Sequence, residues 1–277
     1  MYKITKVINN NIVCAEDSQG EEVILRGLGI GFKHKVKDNL EDKEVEKVYK
    51  ITNPKTSNKL QELLLEIPLE YITLSTEIIE YAEKSLNKKL NDNIYITLTD
   101  HINFAVKRKD SNMEYKNVLL LEIKRFYPQE YNIGVHSLEI IKDKLDVELS
   151  IDEAGFIALH IVNAELNTNM GNIMKITEII QGVLGIVKNH YKIDIDDEGL
   201  DYERFITHLK FFGQRLFNNK STKDHDVVFQ NIVKERYLFD YQCAEKIREF
   251  INNKYNRMIT NEEMMFLTIH LRRLSRA

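Results

Sequence analysis

The sequence predicts a multidomain protein in which a small all-β module is followed by two homologous all-α domains, each a helical bundle. Three observations predict this fold class. Apolar and polar residues alternate through much of the first fifty positions, which is the period of a strand with one buried face. From Lys59 onward, apolar residues recur at steps of three and four, which is the period of a helix. The helical part also repeats itself at a spacing of about 110 residues, which indicates an internal duplication.

Four strands are expected in the first module, residues 1–55, and they should form one antiparallel sheet. Turn signals at Asn9–Asn11 and Ser18–Gly20 separate the first three strands, and glycines mark a bulge or a close backbone approach within Leu28–Phe32. A linker is expected at residues 52–58. Four short strands bury little apolar surface, so we expect the module to dimerise. The predicted strands are Tyr2–Ile8, Ile12–Asp17, Glu21–Gly27 and Val45–Ile51.

The two helical domains are predicted at residues 66–170 and 171–277, with a break in the helical pattern near Asn167–Asn172. One repeated segment is "SIDEAGFIALH" (Ser150–His160), which matches "TNEEMMFLTIH" (Thr260–His270) at the hydroxyl residue, the Glu, the Phe and the His. A second pair is "DHINFAVKRK" and "THLKFFGQRL", which share the pattern H-x-x-F-x-x-x-R. Each domain therefore carries two histidines at matching positions: His101 and His160 in the first, His208 and His270 in the second.

The composition is that of a soluble globular protein, since 43% of the residues are apolar and 30% are charged. The two cysteines, Cys14 and Cys243, are too far apart in sequence to form a CxxC metal pair, and they make no disulfide framework. No apolar run stands at the N-terminus, so we expect no signal peptide, no spanning helix and a cytoplasmic location. A net charge of -4 does not by itself indicate a nucleic-acid partner.

The repeated histidines have a structural interpretation and three functional ones. A single histidine on a packed helix face is most often a core residue. Ser150 and Thr260 can cap their helices, and Glu153 and Glu263 can close capping boxes. These roles explain the other repeated residues, but they do not require histidine.

Metal binding and catalysis are the less favoured functional interpretations. Only Asp100 stands beside a repeated histidine, and its counterpart is Thr207, which argues against a shared metal site. The sequence contains no G-x-S-x-G, P-loop, G-x-G-x-x-G or H-E-x-x-H motif. We therefore expect neither an enzyme nor a cofactor.

Reversible phosphorylation is the third functional interpretation, because an accessible imidazole can accept a phosphoryl group. The product carries about two extra negative charges. Arg108 and Arg215 each follow the first histidine of a pair by seven residues, or two helical turns, so they share its helix face and can answer that charge.

Six segments, taken in order, resemble the BglG/SacY transcriptional antiterminators over essentially the whole chain. They are "KVINNNIV", "GLGIGF", "LTDHINFA", "DEAGFIALHIVNAEL", "FITHLKFFGQRLF" and "LTIHL". The resemblance implies a co-antiterminator RNA-binding domain followed by two domains regulated by the phosphotransferase sugar-uptake system. Dimers of the β module would bind a hairpin in nascent leader mRNA. The hairpin would prevent the overlapping terminator from forming in a sugar operon, with β-glucosides as the expected sugar class.

The resemblance also assigns the histidines as phosphoacceptors. It implies that the sugar permease (enzyme II) phosphorylates the first helical domain and inactivates the protein. The phosphocarrier HPr would phosphorylate the second and activate it. The phosphoacceptors carried over by motif are His101, His160, His208 and His270, with Asp100, Arg108 and Arg215 as neighbours.

Contacts with RNA are implied for the β module. The Asn11 amide would meet a base edge, Phe32 would stack on an unpaired base, and glycines would let the backbone approach. Basic side chains would meet phosphates. Without the resemblance, Phe32 could equally be a core or dimer-core aromatic. The full implied set is Lys6, Asn11, Arg26, Gly27, Gly29 and Phe32, with Lys33 as a further phosphate contact.

One position departs from the family pattern. The family commonly has a basic residue between the two glycines, whereas this chain has Leu28. Arg26 lies two places earlier, where a strand residue points to the same face, and is the expected substitute. The alternative is that the contact is lost or that the RNA target differs.

Two other functions compete with antitermination. A DNA-binding activator with the same regulatory domains would need a helix-turn-helix motif, and residues 1–55 have the pattern of strands instead. A metal-dependent phosphohydrolase would need a bound metal, for which the sequence offers no ligand set.

Overall fold

A computed structural model describes residues 1–49, 59, 66–111, 113–218 and 227–276. These residues form two compact units. The first consists of Met1–Asn117 and Gln129–Glu165, and the second of Val118–Pro128 and Leu166–Ala277. The β module and the first set of helices thus belong to the same unit. The predicted linker at residues 52–58 lies outside the described residues.

The N-terminal module is an antiparallel sheet, as predicted. Its strand order is β4-β1-β2-β3-β5, and the two-residue strand β4 is an addition to the four expected strands. A single helical turn, α1 (Ile30–Lys33), follows β3 and begins after Gly29, whose φ of 69° places it in the left-handed region that suits glycine. The strands are β1 (Tyr2–Asn9), β2 (Ile12–Glu16), β3 (Glu22–Arg26), β4 (Asn39–Leu40) and β5 (Lys47–Tyr49).

The remainder of the described chain is helical, in agreement with the change of period after Lys59. The helices are α2 (Leu69–Leu86), α3 (Ile94–Asp110), α4 (Leu120–Phe126), α5 (Pro128–Leu145), α6 (Ile151–Leu166), α7 (Met170–Tyr191), α8 (Leu200–Phe217), α9 (Val227–Arg236), α10 (Leu238–Tyr255) and α11 (Asn261–Leu274). In the first unit, α3 carries the first histidine and α6 carries the second. In the second unit, α8 carries the first histidine and α11 carries the second.

The duplication is visible in how the helices end. Helices α2 and α7 are each followed by a residue in the left-handed region, Asn87 and Lys192. Helices α5 and α10 are likewise followed by Asp146 and Asn256. A left-handed residue after the last turn satisfies free helix carbonyls and turns the chain back. The two repeats therefore reverse direction at matching points.

Both faces of the sheet are covered within the first unit. One face packs on α1, and the opposite face packs on helices α2 and α3. Helices of the same unit thus support the small sheet. The expected dimerisation of the module stays a prediction. The second face contributes Ile8, Ile12, Cys14, Ile24 and Tyr49, which meet Leu69, Ile72, Tyr95 and Ile96.

Polar contacts with α2 surround this apolar interface. Arg26 Nη1 donates a hydrogen bond to Thr73 Oγ1 at 2.7 Å. The hydroxyls of Tyr49 and Thr76 lie 3.3 Å apart, within hydrogen-bond distance. Lys47 forms an ion pair with Glu80 of the same helix. Strands β3 and β5 are therefore fixed on α2 by side chains as well as by apolar burial.

Helix α7 lies at the centre of the second unit. Its buried residues include Ile176, Ile180 and Val183, and it packs against α8 and α10. Among the described residues it is the one helix long and apolar enough to cross a membrane by length and composition. Its apolar side chains are buried against its neighbours, which is the pattern of a core helix.

Gly134 is required where α5 crosses α6, and its replacement should destabilise the first unit. A Cβ at this position would collide with the backbone of Ala154. We expect Gly134→Ala to lower the free energy of unfolding by roughly 1–3 kcal/mol, because backbone cannot move aside as a side chain can.

The matched control is Gly185→Ala on α7, where an added Cβ meets nothing within 4 Å. Alanine is the better helix former, so this change should be neutral or should stabilise by about 0.5–1 kcal/mol. Chemical denaturation of both variants measures the difference. Equal stabilities for the two variants would contradict the close helix crossing.

Candidate functional site: two histidine pairs and a loop surface

The first histidine pair lies between α3 and α6. The rings of His101 and His160 are 4.8 Å apart, and the ring of Phe156 is 5.9 Å from that of His101. Both histidines line an open cavity of about 680 Å³. The sequence predicted that these histidines are related, and the structure brings them into contact. Other side chains lining the cavity include Thr97, Asp100, Asn103 and Lys107.

The second pair repeats this arrangement between α8 and α11. The rings of His208 and His270 are 4.4 Å apart, and the ring of Phe266 is 6.5 Å from that of His208. This pair also lines a cavity, of about 470 Å³. The side chains around it include Glu203, Arg204, Thr207, Phe211 and Arg215.

An arginine–glutamate ion pair lies beside each histidine pair. Arg108 Nη2 donates to Glu153 Oε1 at 2.8 Å in the first unit. In the second unit, Arg215 makes two bonds to Glu263: Nε to Oε1 at 2.7 Å and Nη2 to Oε2 at 3.0 Å. Both arginines were expected near the histidines, but as partners of a phosphoryl group. In the structure they are already paired with carboxylates.

The two glutamates are functional candidates that the sequence reasoning assigned to another role. They were predicted to close capping boxes. Thr260 does cap α11, accepting a hydrogen bond from the Glu263 backbone N–H at 3.3 Å. The Glu263 carboxylate, however, turns to Arg215, just as that of Glu153 turns to Arg108. The repeated Ser/Thr-x-x-Glu and His-x-x-Phe-x-x-x-Arg patterns each contain one partner of this ion pair, so their joint repetition could have indicated the pairing of glutamate with arginine.

Arg108 is the more deeply buried of the two arginines, with 6% of its side chain exposed against 31% for Arg215. Its guanidinium lies over the rings of Phe104, at 4.8 Å, and Tyr115, at 4.4 Å. Burial of a charge is tolerated only with a partner, and here Glu153 and the two ring faces provide it.

Burial favours the neutral form of His160, His208 and His270. It lowers the pKa of His160 to about 3, with a smaller contribution from His101. It also lowers the pKa of His208 to about 3, with His270 and Arg215 adding to the effect. The pKa of His270 is lowered by burial and by Arg273. A neutral imidazole keeps the lone pair that a nucleophile or phosphoacceptor needs.

The first cavity also contains residues that the sequence did not single out. Asn103 is 7% exposed, and its buried Oδ1 has no hydrogen-bond partner among the described residues. Lys107 lines the same cavity on its exposed side. Asp100, expected beside the histidines, is exposed at the cavity wall. Within the described residues, no group of three His, Cys, Asp or Glu side chains could hold a metal ion.

A separate candidate surface lies on the β module, where the β1–β2 turn meets the loop around α1. The Asn11 side-chain Oδ1 accepts a hydrogen bond from the Gly29 N–H at 2.8 Å. Gly27 N–H donates to the Asn11 carbonyl, and Gly31 N–H to the Asn10 carbonyl, both at 3.0 Å. The turn and the loop are thus joined into one surface, which we call the loop surface (residues 9–11 and 27–33).

Two large apolar side chains project from the loop surface. Phe32 is 81% exposed and Leu28 is 77% exposed. The interpretation of Phe32 as a core aromatic within one chain is therefore wrong, and its interpretation as a dimer-core aromatic stays a prediction. Lys33 is exposed on the same loop, and Lys6 is exposed on β1.

The other implied RNA contacts have structural tasks. A Cβ at Gly27 would collide with the backbone of Glu44 and with Ile30, so this glycine serves packing inside the module. Gly29 needs its left-handed backbone to begin α1. Arg26 is bound to Thr73 and lies 3.3 Å from Glu46, so it does not extend from the loop surface as a substitute for a basic residue at position 28.

Comparisons with known proteins match both parts of the chain. The CAT RNA binding domain family matches residues 2–58, and the PRD domain family matches residues 76–164 and 181–274. The chain is 47% identical to transcription antiterminator LicT of Bacillus subtilis, over 98% of each chain. It is 41% identical to the beta-glucoside operon antiterminator of Dickeya chrysanthemi, over 98% of this chain and 96% of that one. The crystal structure of GlcT CAT-PRDI matches with a TM-score of 0.52 and 36% identity, covering 59% of this chain and 97% of the other.

The buried histidines should make stability depend on pH. His160 and His208 have a pKa of about 3 in the folded chain, against 6.5 for an ordinary histidine. Between these pH values the unfolded chain binds protons that the folded chain does not. The free energy of unfolding should therefore fall as the pH is lowered below about 6.5, by at most about 1.4 kcal/mol per pH unit for each histidine.

Urea unfolding at several pH values, in wild type and in His160→Gln and His208→Gln, measures this slope. Each substitution should make the free energy of unfolding decrease less steeply as the pH is lowered, because glutamine does not titrate. Identical slopes in all three proteins would show that burial of these rings does not set the pH dependence.

Proposed function

The chain belongs to the BglG family of transcription antiterminators, which join a CAT RNA binding domain to two PRD domains, and we propose that phosphorylation of its histidine pairs controls its binding to RNA. Antitermination through the CAT domain is the function of the family. The control by phosphoryl groups, the enzymes that supply them and the dimeric state are the proposed parts.

The proposed RNA target is a hairpin with unpaired bases in the leader of a sugar-utilisation mRNA. Bound protein keeps the overlapping terminator from forming, so transcription continues. The exposed Phe32 supports recognition of unpaired bases, because an aromatic ring that projects from a surface can stack on a splayed base. The Asn11 amide group has its oxygen engaged by Gly29, which leaves its NH₂ to donate to a base edge.

One observation carries the phosphorylation proposal: each helical repeat brings two histidines from separate helices into contact at the wall of an open cavity. A core histidine needs no cavity, and a metal site needs further ligands. A neutral ring at a cavity wall has both the lone pair and the room that phosphoryl transfer requires. A phosphoryl group brings nearly two negative charges to a site between two helices, where a change of charge can alter packing.

Two copies of the site allow the protein to respond to two different phosphoryl donors. We assign His101 and His160 to inactivation through the sugar permease, and His208 and His270 to activation through the phosphocarrier HPr. This assignment rests on the family resemblance. The different surroundings of the two pairs are consistent with different donors, since Lys107 lines the first cavity and Arg204 and Arg215 line the second.

The remaining proposals concern assembly and location. We propose the division 1–55, 66–170 and 171–277 for the RNA-binding domain and the two regulatory domains. We also propose a homodimer that acts in the cytoplasm, where nascent mRNA and phosphocarrier proteins are found. Exposed apolar residues of α9, including Val228 (71% exposed) and Ile232 (51% exposed), support association of the second unit with another copy.

The β-glucosides are the proposed sugar class, since relatives at 41% and 47% identity include a protein named for that operon.

Adding charge at the second pair should activate the protein. We expect the double change His208→Asp and His270→Asp to raise antitermination in cells that lack HPr, because aspartate places negative charge where a phosphoryl group would stand. A terminator-reporter fusion measures the effect.

The matched control is the same pair of substitutions in the first unit, His101→Asp and His160→Asp, which should lower antitermination. Transfer of labelled phosphate from phosphoenolpyruvate through enzyme I and HPr tests the premise directly. No label on the wild-type chain would reject phosphorylation control, while RNA binding would remain as the function.

Loss of the exposed aromatic ring should weaken RNA binding without unfolding the protein. We expect Phe32→Ala to lower affinity for the leader hairpin by roughly 5- to 150-fold, because stacking of one base on an aromatic ring contributes about 1–3 kcal/mol. Titration of the full chain, with and without the phosphoryl donors, measures the affinity for this hairpin and for the same stem fully paired.

Leu121→Ala is the control, because Leu121 is 77% exposed but lies outside the loop surface. It should leave the affinity unchanged. If Phe32→Ala binds both RNAs as wild type does, recognition of unpaired bases does not pass through this ring.

A further inference from the structure

The first histidine of each pair presents only one of its two ring nitrogens to the cavity. We propose that His101 and His208 accept the phosphoryl group on Nδ1, with Nε2 turned into the protein, and that Glu153 is the positioning residue that fixes this orientation for His101. The proposal rests on the proposed function, and it adds to it the nitrogen, the tautomer and the residue that sets them.

The evidence is most direct at His101. Its Nε2 is buried and lies 3.0 Å from Glu153 Oε2, although the two atoms are not aligned as a regular hydrogen bond. A ring lone pair and a carboxylate oxygen at this distance would repel each other. A proton on Nε2, facing the carboxylate, is therefore favoured, and in the singly protonated form of the ring that accepts a phosphoryl group the lone pair is on Nδ1.

The free volume beside the His101 ring indicates the same nitrogen as the phosphoacceptor. A phosphoryl group adds a phosphorus atom and three oxygens in line with the ring nitrogen, and a buried nitrogen facing Glu153 has no room for them. His101 lines a cavity of about 680 Å³, and Nδ1 is the nitrogen that remains to face it. The lone pair and the free volume are thus on the same side of the ring.

The Nε2 atom of His208 is buried like that of His101, but the corresponding carboxylate, Glu263, binds Arg215 instead of facing the histidine. Its Nε2 is buried and has no hydrogen-bond partner among the described residues. Both oxygens of Glu263 bind Arg215. At His160 the orientation is opposite, because its Nδ1 is the buried nitrogen. The two rings of the first pair therefore present different nitrogens to a donor.

The transfer balances without further reactants. The donor is a phosphohistidine of a carrier protein, protonated at its other ring nitrogen. The Nδ1 lone pair of His101 forms the new P–N bond as the donor P–N bond breaks, and the donor leaves as neutral imidazole. The His101 ring then carries a phosphoryl group on Nδ1, a proton on Nε2 and one positive charge. Glu153 faces that positive charge, whereas at His208 the corresponding carboxylate is held by Arg215.

The test is nuclear magnetic resonance of the full chain with ¹⁵N-labelled histidine. Long-range ¹H–¹⁵N correlations identify which ring nitrogen carries the proton, and single His→Gln variants assign the signals. Before phosphorylation we expect the Nε2–H tautomer at His101 and at His208. After incubation with phosphoenolpyruvate, enzyme I and HPr, or with the phosphorylated permease domain, we expect phosphorus on Nδ1 at these two residues.

Glu153→Gln and Glu263→Gln are the matched pair of variants. Glu153→Gln should reduce the share of the Nε2–H tautomer at His101, because the charge that favours it is gone. Glu263→Gln should leave the tautomer of His208 unchanged, because that carboxylate faces Arg215. A role of Glu153 confined to stability would alter unfolding but not the tautomer signals.

Any of three results would overturn the proposal while leaving the proposed function intact. These are an Nδ1–H tautomer at His101 in the wild-type chain, phosphorus on Nε2 of His101 or His208, or an unchanged His101 tautomer in a folded Glu153→Gln variant. A fourth result, no transfer of a phosphoryl group to the chain, would overturn both the proposed control by phosphorylation and this proposal. The tautomer signals, which need no transfer, distinguish that case from the first three.

Discussion

The arginine–glutamate pair in each helical repeat is the interaction on which the histidine sites depend. Arg108 joins α3 to Glu153 of α6, and Arg215 joins α8 to Glu263 of α11. Each pair therefore connects the helix of the first histidine to the helix of the second. The glutamates are each 5% exposed, so a carboxylate without its arginine would be a buried, unpaired charge costing about 3–5 kcal/mol. Because a shift of either helix would break the pair and incur this cost, the pair holds the two helices in the register that brings the histidine rings together.

The same contact explains how the two copies differ. Glu263 gives both oxygens to Arg215 in a two-bond pair, the strong geometry for guanidinium and carboxylate. Glu153 gives one oxygen to Arg108 and places the other 3.0 Å from His101. An ancestral site with one arginine, one glutamate and two histidines has thus been kept twice, with the second carboxylate oxygen used differently. In the first unit the carboxylate faces both the arginine and the histidine, and in the second both of its oxygens bind the arginine.

The sequence predicted the architecture well, because it depends on periodicity and repetition. The strands of the β module follow from alternating residues such as those of Tyr2–Asn9, and the paired histidines follow from the repeated segments. The partners of charged side chains were harder to predict. Glu153 and Glu263 fit the capping-box pattern, which is a local rule, but their carboxylates reach residues 45 and 48 positions away in sequence. Sequence spacing within a helix cannot show which of two possible partners a carboxylate will choose, since that depends on how the helices pack.

Arg26 is a second charged side chain whose partner could not be predicted from the sequence, and it bears on the expected RNA contacts. Its position on β3 suggested a phosphate contact in place of Leu28, yet its guanidinium binds Thr73 of α2 and lies beside Glu46. The loop surface therefore presents Leu28 at the position where the resemblance leads one to expect a basic residue. Each phosphate contact adds about 0.7–0.9 to the slope of affinity against salt on logarithmic scales. Under the proposed function, a surface with Leu28 at this position loses one such contribution but keeps the exposed ring of Phe32 and the exposed Lys33. Stacking on unpaired bases would then contribute a larger share of recognition, relative to charge, than in a relative with a basic residue at this position.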